Sequence, residues 1–333
     1  MKSKLIGLIF FLLASTAFCI SEREASFSNG PVTLNGTLLL PETGGKHPAI
    51  VFLHGSGMAT RAFARPFAEK FAEIGMVSLI FDKRGSGTST GSWIKSSLDD
   101  LSNDAIAALE FVKVQPEVDP KRVGLYAVSQ SGWVAPVAMS HSTDVSFLIV
   151  VTGGGASPLE TELYGYRTKF KAAGLSDSDQ AEAMTLINQY FDYLRTGANR
   201  DKLVEAIDKS RSKSWYSLVQ LDRILPTDDM VADWKWVPTF DPLPSIEKIR
   251  CPVLLFFGGK DPFQPAREAE QAWKSALAKG GNRDVTDMFL PEAGHAMTMG
   301  EHHAEHPVLA DGYMDTMIQW LQSKVLDPAL VPK

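Results

Sequence analysis

A serine lies where an apolar segment typical of a strand meets a segment compatible with a helix. The apolar segment is Val123–Val128, and Ser129 follows it directly. A serine at the apex of a strand-to-helix turn forms a nucleophile elbow, in which the hydroxyl is exposed for attack on a carbonyl carbon. Because this turn is strained, the residues two before and two after the serine must be small, as Ala127 and Ser131 are. The sequence therefore predicts Ser129 as a catalytic nucleophile.

The usual elbow has glycine at both of these neighbouring positions, whereas this chain has alanine and serine. Two alternatives stay open for this reason. In a shifted register Ser131 would be the nucleophile, although Trp133 would then stand where a small side chain is needed. In the other alternative, Ser129 is only the N-cap of the helix that follows.

An acid and a base follow two further predicted strands. Asp261 lies in a Gly-Gly-Lys-Asp-Pro turn after the apolar run Val253–Phe257, and His295 lies on a glycine-containing loop after Val285–Leu290. Ligands of open α/β sheets bind at the edge where the carboxyl ends of the strands meet. Such a turn is, on its own, typical of an ordinary chain reversal. The order serine, aspartate, histidine along the chain is the order of α/β-hydrolase triads, and this agreement favours the catalytic assignment.

These three residue types together predict acyl transfer. Ser129 would attack a carbonyl carbon while His295 removes the hydroxyl proton, and Asp261 would fix the tautomer of the imidazole. Water would then cleave the acyl-enzyme with the help of the same histidine.

A glycine-rich loop supplies the remaining part of such a site. The loop begins with His54 and continues as Gly-Ser-Gly after the apolar run Ala49–Leu53. The tetrahedral intermediate carries negative charge on the former carbonyl oxygen, and backbone N–H groups can stabilise that charge. We predict that the N–H groups of Ser56 and Gln130 form this oxyanion hole. His54 is interpreted as holding the loop rather than as a second base.

The elements that must position these residues alternate along the chain. Short apolar runs rich in β-branched residues alternate with segments of helical periodicity, which predicts a parallel sheet flanked by helices. The predicted strands are Val32–Leu40, Ala49–Leu53, Val77–Phe81, Val123–Val128, Phe147–Val151, Val253–Phe257 and Val285–Leu290. Helices are predicted over Phe63–Ile74, Leu98–Val112 and Tyr313–Leu321, and Ser97 with Asp100 resembles a capping box at the start of the second.

The segment 156–245 interrupts this alternation, because it contains helical patterns such as Ala181–Leu194 and no convincing strand. A segment of this length is too long for a loop, and we predict a helical cap over one edge of the sheet. Trp133, Trp234 and Trp236 are predicted to line a substrate pocket beneath it. The run Gly153–Gly155 lacks dinucleotide-binding spacing and is interpreted as a flexible exit toward the cap.

The chain resembles serine aminopeptidase-like and dienelactone hydrolase-like esterases of the α/β-hydrolase superfamily. The motifs that carry this resemblance as a set are the HGSG loop, the segment Phe81–Ser89, the elbow, the GGKD turn and the Gly-His loop. The resemblance covers about residues 26–155 and 246–324. It implies a mostly parallel eight-stranded sheet flanked by helices, with a helical cap inserted before the seventh strand and no cofactor. It also implies a structural role for the loop DKRGSGTS, with Asp82 paired to Arg84.

The predicted organisation has three parts: a signal peptide at 1–19, a hydrolase core at 20–155 and 246–333, and the cap at 156–245. Lys2 and Lys4 precede an apolar run from Leu5 to Leu13, which is typical of a secretory signal and shorter than a membrane span. Cleavage is expected before Phe18 or after Cys19, so the protein is expected to be exported, periplasmic or secreted. An uncleaved anchor and a lipid on Cys19 remain as alternatives.

Charge and composition exclude several other classes. The net charge of −6 disfavours nucleic acid as a partner. His302 and His306 are spaced for one helix face, but HExxH is missing and Pro307 follows, so a solvated loop is favoured over a zinc site. Cys251 is interpreted as a small buried residue. No metal site is predicted, and the sequence indicates no oligomeric state.

The predicted function is that of a carboxylesterase acting on small to medium acyl esters. The main alternative is an aminopeptidase-type enzyme, in which Glu160 or Glu162 would hold a free α-amino group. A surface-charge explanation stays open for both glutamates. An acyl thioesterase and a binding protein without catalysis are the remaining hypotheses.

Overall fold

The computed structural model describes residues 20–141, 145–219, 221, 231–300 and 308–326, without the side chain of residue 232. The predicted signal segment, together with His302 and His306, therefore lies outside the described residues. No helix in the described ranges has the length and apolar character needed to cross a membrane.

An eight-stranded sheet forms the centre of the molecule, as predicted. Its order is β1-β2-β4-β3-β5-β6-β7-β8. The two pairs β1/β2 and β2/β4 are antiparallel, and the remaining pairs are parallel. The strands are β1 Ser21–Asn29, β2 Val32–Leu40, β3 His47–Phe52, β4 Val77–Phe81, β5 Val118–Val128, β6 Leu148–Val151, β7 Val253–Gly258 and β8 Val285–Leu290. The short strands β9 Thr298–Met299 and β10 Val308–Leu309 pair separately.

Two strands differ from the patterns in the sequence. β1 has no apolar run of its own, because only Ala25 and Phe27 are buried apolar residues among mostly polar neighbours. It is an edge strand that pairs with β2 through a tight turn containing Gly30, whose φ is 55°. β5 begins at Val118 rather than Val123, and its register with β3 shifts between the two positions.

Helices cover both faces of the sheet. On one face lie α1 Arg65–Glu73 and α12 Tyr313–Leu321, which continues as a π-helical turn, Gln322–Leu326. On the other lie α2 Leu98–Lys113, α3 Ser131–His141 and α11 Ala266–Lys279. The predicted capping box is confirmed, because Ser97 accepts from the N–H of Asp100 and the Asp100 carboxylate accepts from the N–H of Ser97.

The described residues between β6 and β7 form helices and no strand. These helices are α4 Pro158–Ala172, α5 Asp177–Thr196, α6 Arg200–Ser210, α7 Tyr216–Val219, α8 Val231–Trp234, α9 Trp236–Thr239 and α10 Leu243–Ile246. Most of them share a small apolar core of their own, built on Phe170, Ile187, Leu194 and Trp215. This helical unit precedes the seventh strand, and we call α4–α9 the cap.

Candidate active site

Ser129 lies in the turn between β5 and α3, and its backbone is strained as an elbow requires. Its φ is 54°, in the left-handed region that residues other than glycine rarely adopt. The turn is held by the N–H of Ser129, which donates to the carbonyl of Val151 at 3.0 Å. The side-chain oxygen of Ser129 points toward His295 and not toward the backbone of α3. The N-cap alternative therefore has no support in the geometry.

The hydroxyl of Ser131 is engaged elsewhere, which removes the alternative register. It donates to the carbonyl of Val128 at 2.8 Å and accepts from the N–H of the same residue at 2.6 Å. Its side chain is buried, with 1% exposed. Ser131 thus closes the elbow turn and does not face the cavity.

The run Gly153–Gly155 packs tightly against this elbow, and its interpretation as a flexible exit is wrong. A Cβ on Gly153 would lie 2.2 Å from the carbonyl oxygen of Ser129, and a Cβ on Gly132 would lie 2.1 Å from the carbonyl carbon of Gly153. The three glycines are buried. They are needed because the elbow backbone and the chain leaving β6 approach more closely than any side chain permits.

Ser129, His295 and Asp261 form a continuous hydrogen-bonded chain. Nε2 of His295 lies 2.8 Å from Oγ of Ser129, and Nδ1 lies 2.7 Å from Oδ2 of Asp261. The other carboxylate oxygen of Asp261 accepts from the N–H groups of Phe263 and Gln264 at 2.8 and 3.1 Å. The carboxylate is thereby fixed in one orientation, buried at 3% exposure.

The loops that carry the acid and the base are tied to each other and to the sheet. The N–H of Gly259 donates to Leu290 and that of Lys260 to Ala293, both at 2.9 Å. The hydroxyl of Thr152, at the end of β6, donates to the main-chain carbonyl of His295. Three strand ends therefore position the imidazole.

The glycine-rich loop after β3 lies across from the serine. A Cβ on Gly55 would lie 3.5 Å from Cβ of Ser129, so the loop backbone is within van der Waals distance of the elbow. Within the described ranges, no group accepts a hydrogen bond from the backbone N–H of Ser56 or of Gln130. Both predicted donors are thus free to receive an external oxygen.

His54 holds this loop, in agreement with its interpretation as a structural residue. Its Nε2–H donates to the carbonyl of Phe81 at 2.6 Å. Burial, together with the charge of Lys83, lowers the pKa of His54 to about 4, although the bond to Phe81 opposes the shift. His54 is therefore neutral at physiological pH.

Lys83 is a residue of this site that the sequence did not reveal. Its side chain is 4% exposed. Nζ donates to the carbonyl of Gly55 at 2.8 Å and to Oε1 of Gln130 at 2.7 Å. Burial lowers the pKa of Lys83 to about 7, and the charge of Asp104 opposes this shift. The residue belongs to the loop DKRGSGTS, which was interpreted as structural only.

The implied pairing of Asp82 with Arg84 is wrong. Asp82 pairs with Arg61, whose NH2 lies 3.1 Å from Oδ2. Burial raises the pKa of Asp82, but hydrogen bonds from Arg61 and Thr88 outweigh this effect and lower the pKa to about 2. Arg84 points the other way and pairs with Asp104 on α2, with an Nε–Oδ2 distance of 2.6 Å. Adjacent side chains of the loop face opposite sides, which the motif letters do not indicate.

A cavity of about 960 Å³ opens between the core and the cap, with Ser129 and His295 in its wall. The apolar part of its lining includes Met58, Phe63, Trp133 and Phe263. The cap contributes one face of α4, and the residues of that face are Thr161, Glu162, Gly165, Tyr166, Thr168, Lys169 and Ala172. The volume suits a small to medium organic ligand.

Two of the predicted pocket tryptophans lie outside this lining. Trp236 of α9 packs edge-on against Trp133 of α3, with ring centroids 6.1 Å apart. Trp234 donates from its indole to the carbonyl of Ile94, in the loop before α2. The prediction of Trp234 and Trp236 as pocket residues is therefore wrong, because both rings fasten the end of the cap to the core.

The two candidate glutamates of α4 have different surroundings. Glu160 closes a capping box with Ser157 at the start of the helix, which is a structural role. Glu162 faces the cavity, and no described residue gives it a hydrogen bond or an ion pair. Solvent in the cavity reaches its side chain, but the surrounding protein desolvates it and raises the pKa of Glu162.

Cys251 and potential metal ligands were the other reactive groups considered from the sequence. Cys251 is a free thiol whose pKa is raised to about 12 by burial, so it is not a nucleophile. Across the described ranges, no group of three or more potential ligands is arranged to hold a metal ion.

The sequence and the fold were compared with those of known proteins. A model of the alpha/beta hydrolase family matches residues 50–308. Esterase EstD of Thermotoga maritima is 22% identical over 317 residues, covering 90% of this chain and 68% of that protein. The thiohydrolase aneE of Aspergillus aculeatus is 34% identical over 120 residues, covering 35% of this chain and 37% of that protein. The solved structure of an esterase from Pyrococcus furiosus has the same fold, with a TM-score of 0.61, 16% identity and 97% of each chain covered.

Proposed function

Because the chain belongs to the alpha/beta hydrolase family, we propose that it is a serine carboxylesterase that cleaves small to medium acyl esters. The observation that carries this proposal is the pair of contacts of His295, 2.8 Å to Oγ of Ser129 and 2.7 Å to Oδ2 of Asp261. An imidazole held in this way can remove the serine proton and return it to the leaving alcohol.

The reaction proceeds through an acyl-enzyme. Oγ of Ser129 attacks the ester carbonyl while Nε2 of His295 takes its proton, and the N–H groups of Ser56 and Gln130 stabilise the oxyanion. The imidazolium then protonates the alkoxide, which leaves. Water, deprotonated by the same imidazole, attacks the acyl-enzyme and releases the carboxylic acid. Esters need no group beyond these, and the apolar walls of the cavity suit an acyl chain.

The test compares wild type with Ser129→Ala on p-nitrophenyl acetate and butyrate. We expect hydrolysis by wild type and a loss of at least about a thousandfold in the variant. Ser131→Ala is the matched control, because it removes a neighbouring hydroxyl that does not face the cavity. Equal rates in wild type and Ser129→Ala would refute the proposal.

Glu162 favours a second candidate function, the cleavage of substrates that carry an ammonium group. An unpaired carboxylate in a largely apolar cavity can form an ion pair with such a group. If this is the function, wild type prefers aminoacyl p-nitroanilides to p-nitrophenyl butyrate, and Glu162→Gln reverses the preference. Glu160→Gln is the control, since this carboxylate serves the helix cap. A thioester of butyrate, assayed in parallel, tests the thioesterase alternative.

A further inference from the structure

Lys83 joins the two residues that are proposed to bind the oxyanion. Nζ lies 2.8 Å from the carbonyl oxygen of Gly55 and 2.7 Å from Oε1 of Gln130. The carbonyl of Gly55 and the N–H of Ser56 belong to the same peptide group. The ammonium therefore binds the oxygen end of the peptide dipole whose N–H end is one of the two proposed oxyanion donors. Its second bond fixes the side chain of the residue that supplies the other donor.

The charge of Lys83 is not cancelled by a contacting carboxylate. Among the described residues, no acidic oxygen lies within ion-pair distance of Nζ. The carboxylate on the facing helix α2, Asp104, is occupied by two hydrogen bonds from Arg84 and one from Asn29. The neighbouring Asp82 is held by Arg61 on the other side of the loop.

Two further neighbours of Lys83, His54 and Trp93, are neutral. His54 is uncharged at physiological pH, because burial and the Lys83 charge lower its pKa to about 4. The ring of Trp93 lies 5.7 Å from Nζ, at a distance that favours a cation. The ammonium of Lys83 is therefore the nearby positive charge that can act on the oxyanion donors, and water does not screen it.

We infer that Lys83 is a positioning residue for the oxyanion hole, which aligns the donors at Ser56 and Gln130 and strengthens them with its positive charge. A cation on a carbonyl oxygen polarises the peptide group and makes its N–H a stronger donor. This effect grows as negative charge develops on the substrate oxygen, so it stabilises the transition state more than bound substrate. Lys83 itself touches neither the substrate nor Ser129.

The inference has a kinetic signature that a structural role would not produce. Loss of the charge should lower kcat and leave KM nearly unchanged, because ground-state binding depends on the cavity walls. Since burial lowers the pKa of Lys83 to about 7, wild type should also lose turnover as the pH rises above this value. A variant without the ammonium should lack this alkaline decline.

The experiment compares wild type, Lys83→Met and Lys83→Arg on p-nitrophenyl butyrate from pH 6 to 9. For Lys83→Met we expect kcat to fall by about 10- to 100-fold, less than for the loss of a direct donor, with KM changed by less than about twofold. Lys83→Arg should recover part of kcat and hold it at alkaline pH, because arginine stays charged. Lys248→Met removes an exposed lysine charge and is the matched control.

A trifluoromethyl ketone gives a second measurement, because its adduct with the serine places an oxyanion in the hole. Its inhibition constant should rise in Lys83→Met in proportion to the loss of kcat/KM. If Lys83→Met does not fold, Gln130→Ala, which removes one partner of Nζ and keeps the ammonium, should lower kcat by a smaller factor and retain the alkaline decline. Unchanged kcat in folded Gln130→Ala, or unchanged kcat with an unchanged alkaline decline in folded Lys83→Met, would overturn the inference.

The inference rests on the proposed serine esterase function, and the two can fail separately. If Ser129→Ala is as active as wild type, the proposed function is wrong. If Ser129→Ala is inactive while Lys83→Met matches wild type at every pH, only the role of Lys83 is wrong.

Discussion

Asp261 uses both carboxylate oxygens, and this fixes the direction of proton transfer. Oδ1 accepts two backbone N–H groups, and Oδ2 faces Nδ1 of His295. Nδ1 must then carry its proton toward the carboxylate, which leaves the lone pair of Nε2 for the hydroxyl of Ser129.

Asp261→Asn should therefore keep the fold and lose the reaction. The amide oxygen would retain the backbone N–H groups, and the amide nitrogen would face Nδ1 and force the wrong tautomer. We expect kcat for p-nitrophenyl butyrate to fall by about 10⁴-fold, with the melting temperature little changed. Near-normal turnover in a folded variant would show that another group orients His295.

The buried ammonium of Lys83 should appear in the pH dependence of stability. Its pKa is about 7 in the folded protein and 10.5 as the ordinary value, so the unfolded chain binds more protons between these values. The contribution of this residue to the free energy of unfolding therefore increases as the pH rises above 7. Below pH 7 the folded protein carries the buried charge, and its stability is reduced by the full cost of burying it.

This contribution is isolated by comparing wild type with Lys83→Met in denaturant at pH 7 and pH 9. Relative to the variant, the free energy of unfolding of wild type should increase by about 2 kcal/mol from pH 7 to pH 9. Each pH unit contributes up to about 1.4 kcal/mol, because the unfolded chain binds one more proton. Parallel pH profiles for the two proteins would mean that Lys83 does not titrate in this window.

The residues of the candidate triad could be predicted from the sequence, and Lys83 could not, for a physical reason. Ser129, Asp261 and His295 each follow an apolar run, and parallel strands place all three at one edge. The partners of Lys83 lie 28 and 47 residues away, in two different loops. Nothing in the local pattern distinguishes it from a lysine in a surface turn.

At the level of secondary structure, the elbow depends on glycines outside its own turn. Gly132 is the second residue of α3, and Gly153 follows β6, with their backbones in close contact. Thr152 adds its own left-handed conformation, with a φ of 45°, at the same place. Ser129 is thus held from two adjacent strand ends.

Gly153→Ala should destabilise the protein and lower its activity. The new methyl group would meet the carbonyl oxygen of Ser129 at 2.2 Å, and overpacking of this kind costs about 1–3 kcal/mol. Gly44→Ala is the matched control, because a Cβ there meets nothing within 4 Å and its φ is not positive. Denaturant unfolding of both variants measures the difference, and equal stability would contradict the tight packing.

Elements with a strong local pattern were predicted with nearly correct bounds, such as β2, β4, β8 and α12. In β2, β4 and α12 the buried residues form a run or a helical stripe within the element itself. The residues of β8 are half-buried apart from Asp287, which is exposed. β1 could not be predicted from the sequence, because it has only two buried apolar residues and no apolar run of its own. As an edge strand, it depends on pairing with β2 for its structure.

At the scale of the whole molecule, the core carries the candidate triad and the cap supplies one wall of the cavity. A helical insertion could be predicted from the missing strand patterns in 156–245. The wall itself could not, because tertiary packing decides that α4 faces the serine while Trp234 and Trp236 attach the other end of the cap to the core. If the cavity binds the substrate, as proposed, variants of α4 or of loop residues such as Phe263 should alter substrate preference.

We propose that residues 1–19 are removed and that the mature protein is exported. Cleavage before Phe18 or after Cys19 would leave β1, which begins at Ser21, intact. N-terminal sequencing of protein recovered from the periplasm or the medium should identify one of these positions, whereas a lipid on Cys19 would add the mass of acyl chains. Recovery of the full-length chain from the cytosol would contradict export.

We propose that the hydroxyl of Ser129, activated by His295, is a nucleophile. This role is tested most directly by reacting the protein with a fluorophosphonate and locating the adduct by mass spectrometry of its peptides. We predict a single adduct on Ser129, lost in Ser129→Ala, strongly slowed in His295→Ala and retained in Ser131→Ala. An adduct on any other residue, or none on a folded protein, would contradict the claim.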